Sequence, residues 1–578
     1  MIRRRLAVAI LFTFAIVAVF VVRLVDIQVV RASELNAEAL SKRMIQTSIP
    51  APRGEIVDTN GVVLADNVTR YNITVSPRDV ASFTRTAKDG SSQVVSVLEA
   101  LTEVAKLTGA NTNDLLTAAT SDHESYWAML VKGVDTATFR AVRDLQIPWV
   151  YAEPEQHRVY PLGSVAGNLV GFVGTDKPLN GLEATENSCL ASTAGSSTYE
   201  QSADEVRLPG STVTTKQTIP GGTLKLTIDS DLQWFVQQAI AEQAIAIGAE
   251  SGMAAVVRVK DAHIMAMADW PAVDPNNING TGTDFLGARS FSYMYEPGSI
   301  MKALSASMLI DQGAATPTTR VDVPWLWWTP DGARIRDSEY HGDEHLTLTG
   351  VLEQSSNVGM SKLGTTLPQN IRYDYFRKYG LGEPTAVNFQ GEANGLLAKT
   401  WNVQQNYDTT YGQGVSVTLA QMASAYQTIA NGGVRLPLTL VEGCTKPDGT
   451  VVDQPSTGGS RVISESAAST TVKMLESVVT GGWLSTQLTI PGYRIAAKTG
   501  TAEVAANGVY TNDSIVSVAG IAPADNPQYV VIVTYVKPHT ITTSAAAAPT
   551  FSKIMKQVLK TYRVPPSTGT DPGYPTTW

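Results

Sequence analysis

Hydrophobic and polar positions change rhythm several times along this chain. Arg3, Arg4 and Arg5 lead into an apolar run from Leu6 to Val22 that only Thr13 interrupts. As a helix rising 1.5 Å per residue, the run is roughly 26 Å long, nearly enough to cross a bilayer. Arg23 can snorkel, and Leu24 and Val25 extend the apolar surface. No small-x-small cleavage site follows, so an uncleaved anchor is expected rather than a signal peptide. The arginines on its short leading side predict a cytoplasmic stub, with the rest of the chain outside. Beyond the anchor, short apolar runs at 55–57 and 62–65 flank Asn60-Gly61, a hairpin pattern, and a third strand is expected at 71–76. Helical spacing predicts a helix from Val94 to Leu107, stopped by Gly109, and another from the cap Asp135 through Val142. Residues 188–222 are rich in Ser, Thr and Gly with little period and are expected as a long irregular connection.

Past that connection the pattern restarts as a strand at 224–228, a helix capped by Asp229 or Ser230 and running to Gly248, and strands at 253–259 and 263–269. Further strands are expected at 495–498, 514–521 and 529–536, then a helix over 548–562. This order predicts an antiparallel sheet covered by helices from both ends of one domain. The class is α+β: anchor over 1–26, α+β pedestal over 27–222, a larger domain over 223–563, and a Pro/Gly/Thr-rich tail over 564–578 expected to be disordered.

Composition narrows the classes. With 578 residues, 43% hydrophobic and 17% charged, the chain can bury sizeable cores. A net charge of −9 removes the basic face that nucleic-acid binding needs, so no nucleic-acid partner is expected. Cys189 and Cys444 are too few for a disulfide framework or a Cys-based zinc site, although one bridge is possible.

The chemistry begins at Glu296-Pro297-Gly298-Ser299-Ile300-Met301-Lys302. Pro-Gly before an unbroken apolar run places Ser299 in the first turn of a helix and Lys302 on the same face. An amine there can take the hydroxyl proton if it is neutral, which requires burial or a second cation nearby. S-x-x-K alone arises roughly once or twice by chance in a chain this long. Two further pieces change its weight. Ser355-Ser356-Asn357 closes an apparent helix over 348–354, and Lys498-Thr499-Gly500-Thr501 ends a strand, with Gly500 admitting a close backbone. S-x-x-K, S-x-N and K-T-G in this order are the signature of serine acyltransferases of the penicillin-binding and β-lactamase type.

On these motifs the chain resembles a class B penicillin-binding protein, a peptidoglycan D,D-transpeptidase, over nearly its whole length. Arg53-Gly54-Glu55-Ile56-Val57-Asp58 with Asn60-Gly61 and Leu64-Ala65 matches that family's juxtamembrane signature. Tyr160-Pro161, Gly181-Leu182-Glu183, Leu226-Thr227-Ile228-Asp229, Tyr411-Gly412-Gln413-Gly414 and Asn431-Gly432 follow its usual order. Thr59 stands where arginine is usual, and Ala497 where glycine is common before the K-T-G lysine.

The resemblance implies a penicillin-binding and serine β-lactamase-like transpeptidase domain and assigns roles. Ser299 would be the nucleophile and Lys302 its base, kept neutral by Lys498. Ser355 would relay a proton to the leaving amine, and Asn357 would hold Lys302 and the substrate amide. Lys498, Thr499 and Thr501 would position the substrate carboxylate, with Gly500, Ser356 and Tyr411 as further groove residues. The backbone N–H groups of Ser299 and Thr501 would form the oxyanion hole. No metal or organic cofactor is implied. Implied partners are peptidoglycan stem peptides, β-lactams as covalent inhibitors, a lipid-linked glycan polymerase and other division proteins. The sequence Glu296-Pro297-Gly298-Ser299 resembles division-type members.

A membrane-tethered β-lactamase or β-lactam sensor would share Ser299 and Lys302, but the E-x-x-x-N pattern of a water-activating base does not occur between Ser355 and Lys498. A D,D-carboxypeptidase and an idle envelope scaffold are further alternatives; the complete set of reacting groups weighs against the scaffold. His341 and His345 read as a surface segment rather than a metal site, and Trp325, Trp327 and Trp328 as packing.

Overall fold

The computed structural model describes residues 1–86, 90–174, 177–201, 210–506, 509–569 and 573–578. Contacts divide the chain into two compact units, each discontinuous in sequence. One comprises Met1–Pro52, Thr69–Gln156 and Ser192–Gly221; the other comprises Arg53–Val68, His157–Ala191 and Gly222–Trp578.

The first unit begins with the apolar helix Ile2–Val25, which has no buried residue. Its compact part encloses a core of Ile73, Val75, Leu101, Val104, Leu115 and Trp149. The helix Val97–Thr108 starts at the cap Ser96, whose side chain accepts the Glu99 N–H, and ends on left-handed Gly109. Asp135 likewise caps Thr136–Asp144 through the Thr138 N–H. The Ser/Thr-rich stretch departs from expectation. Gly195–Glu200 pairs with both Met44–Ile49 and Val213–Lys216 in a three-stranded sheet. Residues 202–209 of that stretch lie outside the described residues. These strands carry no apolar alternation; backbone pairing with a segment about 150 residues away makes them strands.

The second unit is built on a five-stranded sheet: β1 (Ser251–Arg258), β2 (Ile264–Trp270), β3 (Ala496–Ala506), β4 (Val509–Ala522) and β5 (Tyr529–Val536). The order is β2-β1-β5-β4-β3, antiparallel throughout, with β3 at the edge. All eight residues of β5 are buried, so both faces of the sheet are covered. Val531, Val533 and Tyr535 pack with helix α1 (Ser230–Ile247) and the C-terminal helix Ala548–Thr561. Val530 and Ile532 face the opposite core, which contains helix α2 (Lys302–Asp311), the short helices α3 (Leu348–Glu353) and α4 (Asn357–Gly364), and the buried α5 (Leu419–Ala430). β3 and β4 run further than their apolar cores suggest, because cross-strand pairing continues through Glu503 and Ser514.

The juxtamembrane signature belongs to this second unit. Arg53 and Arg158 converge on buried Glu183 at 2.6 and 2.7 Å. Ile56–Val57 pairs in parallel with Thr223–Leu226, which pairs with Val441–Thr445. Cys189 and Cys444 form a disulfide beside that strand pair. Thr59, at the position of the usual arginine, donates its hydroxyl to Glu442 at 3.0 Å.

The C-terminal end is a second departure. Of the tail expected to be disordered over 564–578, residues 570–572 lie outside the described residues, and residues 575–578 lie along Glu344–Thr347. The Thr347 N–H donates to the Thr576 carbonyl and the Trp578 N–H to the His345 carbonyl, at 3.0 and 3.1 Å. The Trp578 ring lies 5.0 Å from the His345 ring, and the Arg320 guanidinium lies 4.9 Å from the Trp578 ring. A free strand edge accepts the tail whatever its composition.

Candidate active site

Ser299 lies in a 3₁₀ turn, Gly298–Met301, that runs directly into α2. The expected helical start is therefore one tighter turn, which brings Ser299 Oγ to 2.8 Å from Lys302 Nζ. Gly298 has φ +57, and its N–H bonds the Gly412 carbonyl. A Cβ on Gly412 would sit 2.1 Å from the Gly298 carbonyl oxygen, so the Tyr411-Gly412 segment presses backbone to backbone against the Ser299 turn.

The opposite wall is Ser355-Ser356-Asn357, between α3 and α4. Ser355 has φ +60, a left-handed conformation costing roughly 1 kcal/mol or more in a residue with a Cβ. With that bend the Ser355 carbonyl lies 2.6 Å from Lys302 Nζ, and its hydroxyl 2.9 Å from Lys498 Nζ. Asn357 Oδ1 lies 2.7 Å from Lys302 Nζ. Ser356 does not reach the groove. It is 3% exposed, accepts the Gly359 N–H as the cap of α4 and donates its hydroxyl to Asp337. Its expected role in substrate binding gives way to a capping role, because successive residues at a helix start point to different sides.

Lys498 and Thr499 lie in edge strand β3 and are buried, whereas Thr501 is exposed. A Cβ on Gly500 would come within 3.2 Å of the Pro297 carbonyl oxygen and 3.1 Å of Ile300 Cγ2, tighter than ordinary contact, so the glycine eases the approach of β3 to the Ser299 turn. Ala497, at the position where glycine is common, is fully buried on the other face of the strand. Tyr411 packs beneath the site. It is 7% exposed, donates its hydroxyl to Asp408 and sets its ring 5.9 Å from Lys302 Nζ.

Both lysines are fully buried. Burial pushes Lys302 down to about 7, against the opposing pull of the Asp337 carboxylate. Lys498 is pushed well below the ordinary lysine range by burial and by the neighbouring Lys302. Burial, more than the second cation, is thus what frees the Lys302 amine. Neutral Lys302 has two N–H groups and one lone pair. The Ser355 carbonyl and Asn357 Oδ1 can only accept, so they take the N–H groups and leave the lone pair for the Ser299 hydroxyl.

Asp337 and Asp408 beside this site stand outside the sequence motifs, and Glu296, although part of one, had no role assigned to it. Glu296 accepts the Gly414 N–H at 2.8 Å and the Tyr510 hydroxyl at 3.1 Å. Lone acidic residues carry no spacing signal that could have found them. The tryptophans divide: Trp327 packs edge-on against Tyr407, whereas Trp328 is 64% exposed. His345 bonds Asp322 at 2.6 Å, and His341 bonds Asp337 rather than sharing a site with His345.

The chain resembles known proteins over most of its length. Residues 252–556 match the penicillin binding protein transpeptidase domain, and residues 48–226 match the penicillin-binding protein dimerisation domain. The chain is 36% identical to penicillin-binding protein PbpB of Mycolicibacterium smegmatis, over 97% of this chain and 91% of that protein. It is 29% identical to the peptidoglycan D,D-transpeptidase FtsI of Escherichia coli, over 94% of this chain and 89% of that one. Among solved structures, a peptidoglycan synthetase from Bifidobacterium adolescentis superposes with a TM-score of 0.73 at 31% identity, covering 93% of this chain and all of the other. Penicillin-binding protein 3 from Mycobacterium tuberculosis, complexed with aztreonam, superposes with a TM-score of 0.70 at 28% identity, covering 92% of this chain and all of the other.

Proposed function

Since this chain belongs to the class B penicillin-binding proteins, we propose that Ser299 carries the acyl-enzyme of its reaction. The chain is a serine-type peptidoglycan D,D-transpeptidase of septal cell-wall synthesis that binds penicillins. One observation carries the assignment to Ser299: Lys302 Nζ meets Ser299 Oγ, the Ser355 carbonyl and Asn357 Oδ1 at 2.8, 2.6 and 2.7 Å.

Ser299 Oγ attacks the penultimate D-Ala carbonyl of a donor stem as its proton passes to the Lys302 lone pair. The N–H groups of Ser299 and Thr501 receive the developing oxyanion, a contribution of about 3 kcal/mol per donor. As the C–N bond breaks, Ser355 Oγ gives its proton to the departing D-Ala amine and is reprotonated by the Lys302 ammonium, which returns to its neutral form. An amine of a neighbouring stem then attacks the ester; Lys302 takes that amine's proton and passes it to Ser299 Oγ as the ester C–O bond breaks, leaving the crosslink made and both groups restored. Asn357 steadies Lys302 and the donor amide, while Thr499 and Thr501 hold the terminal carboxylate with Lys498.

The helix over Ile2–Val30, with a mean hydropathy of 2.8, makes the chain a single-pass membrane protein. Arg3 to Arg5 support a cytoplasmic stub, and the Cys189–Cys444 bridge supports an oxidising compartment for the catalytic unit. The anchor and pedestal would meet a lipid-linked glycan polymerase and other division proteins.

Intact mass of the full chain in detergent, after incubation with a penicillin, tests the reading. A lasting one-to-one adduct that disappears in Ser299→Ala is expected. Rapid drug turnover without an adduct would indicate a β-lactamase, and no reaction in folded protein a scaffold.

A further inference from the structure

Asp337 carries none of the motifs, yet its carboxylate lies behind the Ser355-Ser356-Asn357 wall, 6% exposed. It follows the short strand Arg334–Arg336. Oδ2 accepts the Ser356 hydroxyl at 2.6 Å; Oδ1 accepts the backbone N–H of Asn357, and that of Val358 at 3.0 Å. These are the first N–H groups of α4, so one carboxylate closes the helix end that presents Asn357. Asn357 is held from the other side as well, donating Nδ2 to the Arg336 carbonyl at 3.0 Å.

The same carboxylate faces His341. Nε2 lies 3.2 Å from Asp337 Oδ2, while Nδ1 lies 2.6 Å from the Gly342 carbonyl oxygen and 3.9 Å from Glu344. Both ring nitrogens point at acceptors, and only an imidazolium donates from both. Partial burial opposes that charge, but the Gly342 carbonyl, Asp337 and Glu344 together raise His341 above its ordinary value. Charged groups at the same wall include Lys302, which feels the Asp337 charge, Lys498, which bonds Ser355 Oγ at 2.9 Å and feels Lys302, and Arg336, whose guanidinium lies 3.6 Å from Glu503.

We propose that Asp337 is a positioning residue of the acyl-transfer site, locking Ser356 and Asn357 against Lys302, and that His341 sets how much of its negative charge Lys302 feels. The inference rests on the acyl-transfer reading above. Asp337 acts on Lys302 in two ways: through the helix end that carries Asn357, and through its charge, which favours the ammonium form. His341, when protonated, offsets that charge.

The two effects separate in the rate of acylation by a fluorescent penicillin, measured against pH on the full chain in detergent. Asp337→Asn lowers the maximal rate roughly tenfold by loosening the cap. It also moves the acid limb to lower pH, because the ammonium of Lys302 loses a stabilising charge. His341→Gln moves the same limb to higher pH, because Asp337 is no longer offset. Opposite shifts support the inference; unmoved limbs, or limbs moving the same way, overturn it. If Asp337→Asn does not fold, His341→Gln decides alone, since it leaves the cap in place. A wild-type chain that takes no adduct would sink the acyl-transfer reading, and this inference with it.

Discussion

The two walls of the cleft are held in different ways. Ser299 and Lys302 share one continuous element, a 3₁₀ turn running into α2, and Ile300, Met301 and Leu304 beside them are fully buried. Ser355, Ser356 and Asn357 sit between a six-residue and an eight-residue helix, at a left-handed bend. Their order depends on Asp337 and, one helix earlier, on Thr347, which caps α3 and bonds the tail at Pro575 and Thr576. Ser299 and Lys302 thus share one local element that Gly412 and Gly500 press against, whereas the facing wall is joined from two short helices, Asp337 and the tail. On the proposed reading, the attacking serine and its base stand on one element, and the groups that orient amide and amine stand on the other.

The largest expected effect is on the nucleophile wall. Lys302→Ala should reduce penicillin acylation by roughly 10²- to 10⁴-fold, as expected for loss of a general base. Its melting temperature should not fall, since the substitution removes a buried lysine whose charged form is disfavoured. A loss confined to stability would mean that the two walls do not divide the work as described.

Next comes the facing wall. Asn357→Ala removes one acceptor from Lys302 and should cost roughly tenfold in acylation rate. In the wild type, acylation should fall as pH drops through about 7, because protonation of Lys302 removes the lone pair that takes the Ser299 proton. A flat profile across that range would place the base elsewhere.

The smallest effect should come from removing Thr576, Thr577 and Trp578. Loss of the Thr347 contact and the Trp578 ring contacts should destabilise α3 locally by about 1 to 2 kcal/mol. Hydrogen exchange should quicken over 344–357 and stay unchanged over 299–311. Equal quickening on both sides would show the walls to be coupled after all.

S-x-x-K, S-x-N and K-T-G were readable because each packs its reacting groups into a few residues. The sheet and its covering helices were readable because period and caps were strong: Asp229 caps α1 through the Leu232 N–H, and β5 is apolar throughout. Gly195–Glu200, Val213–Lys216 and the tail were not readable, because strand pairing by backbone groups leaves no mark on side-chain pattern. Ser356 and Tyr411 were placed in the groove by position in a motif, although their hydroxyls are occupied by Asp337 and Asp408.

The sequence by itself determined the apolar N-terminal helix, the α+β class, and the S-x-x-K, S-x-N and K-T-G motifs with their order along the chain, because each depends on spacing within one turn or one strand. Only the tertiary structure decided that Lys302 loses its proton near neutrality, that Asp337 grips the opposing helix, and that Cys189 reaches Cys444. Burial, charge proximity and pairing across long stretches of chain are properties of neighbours in space, and a linear pattern does not name those neighbours.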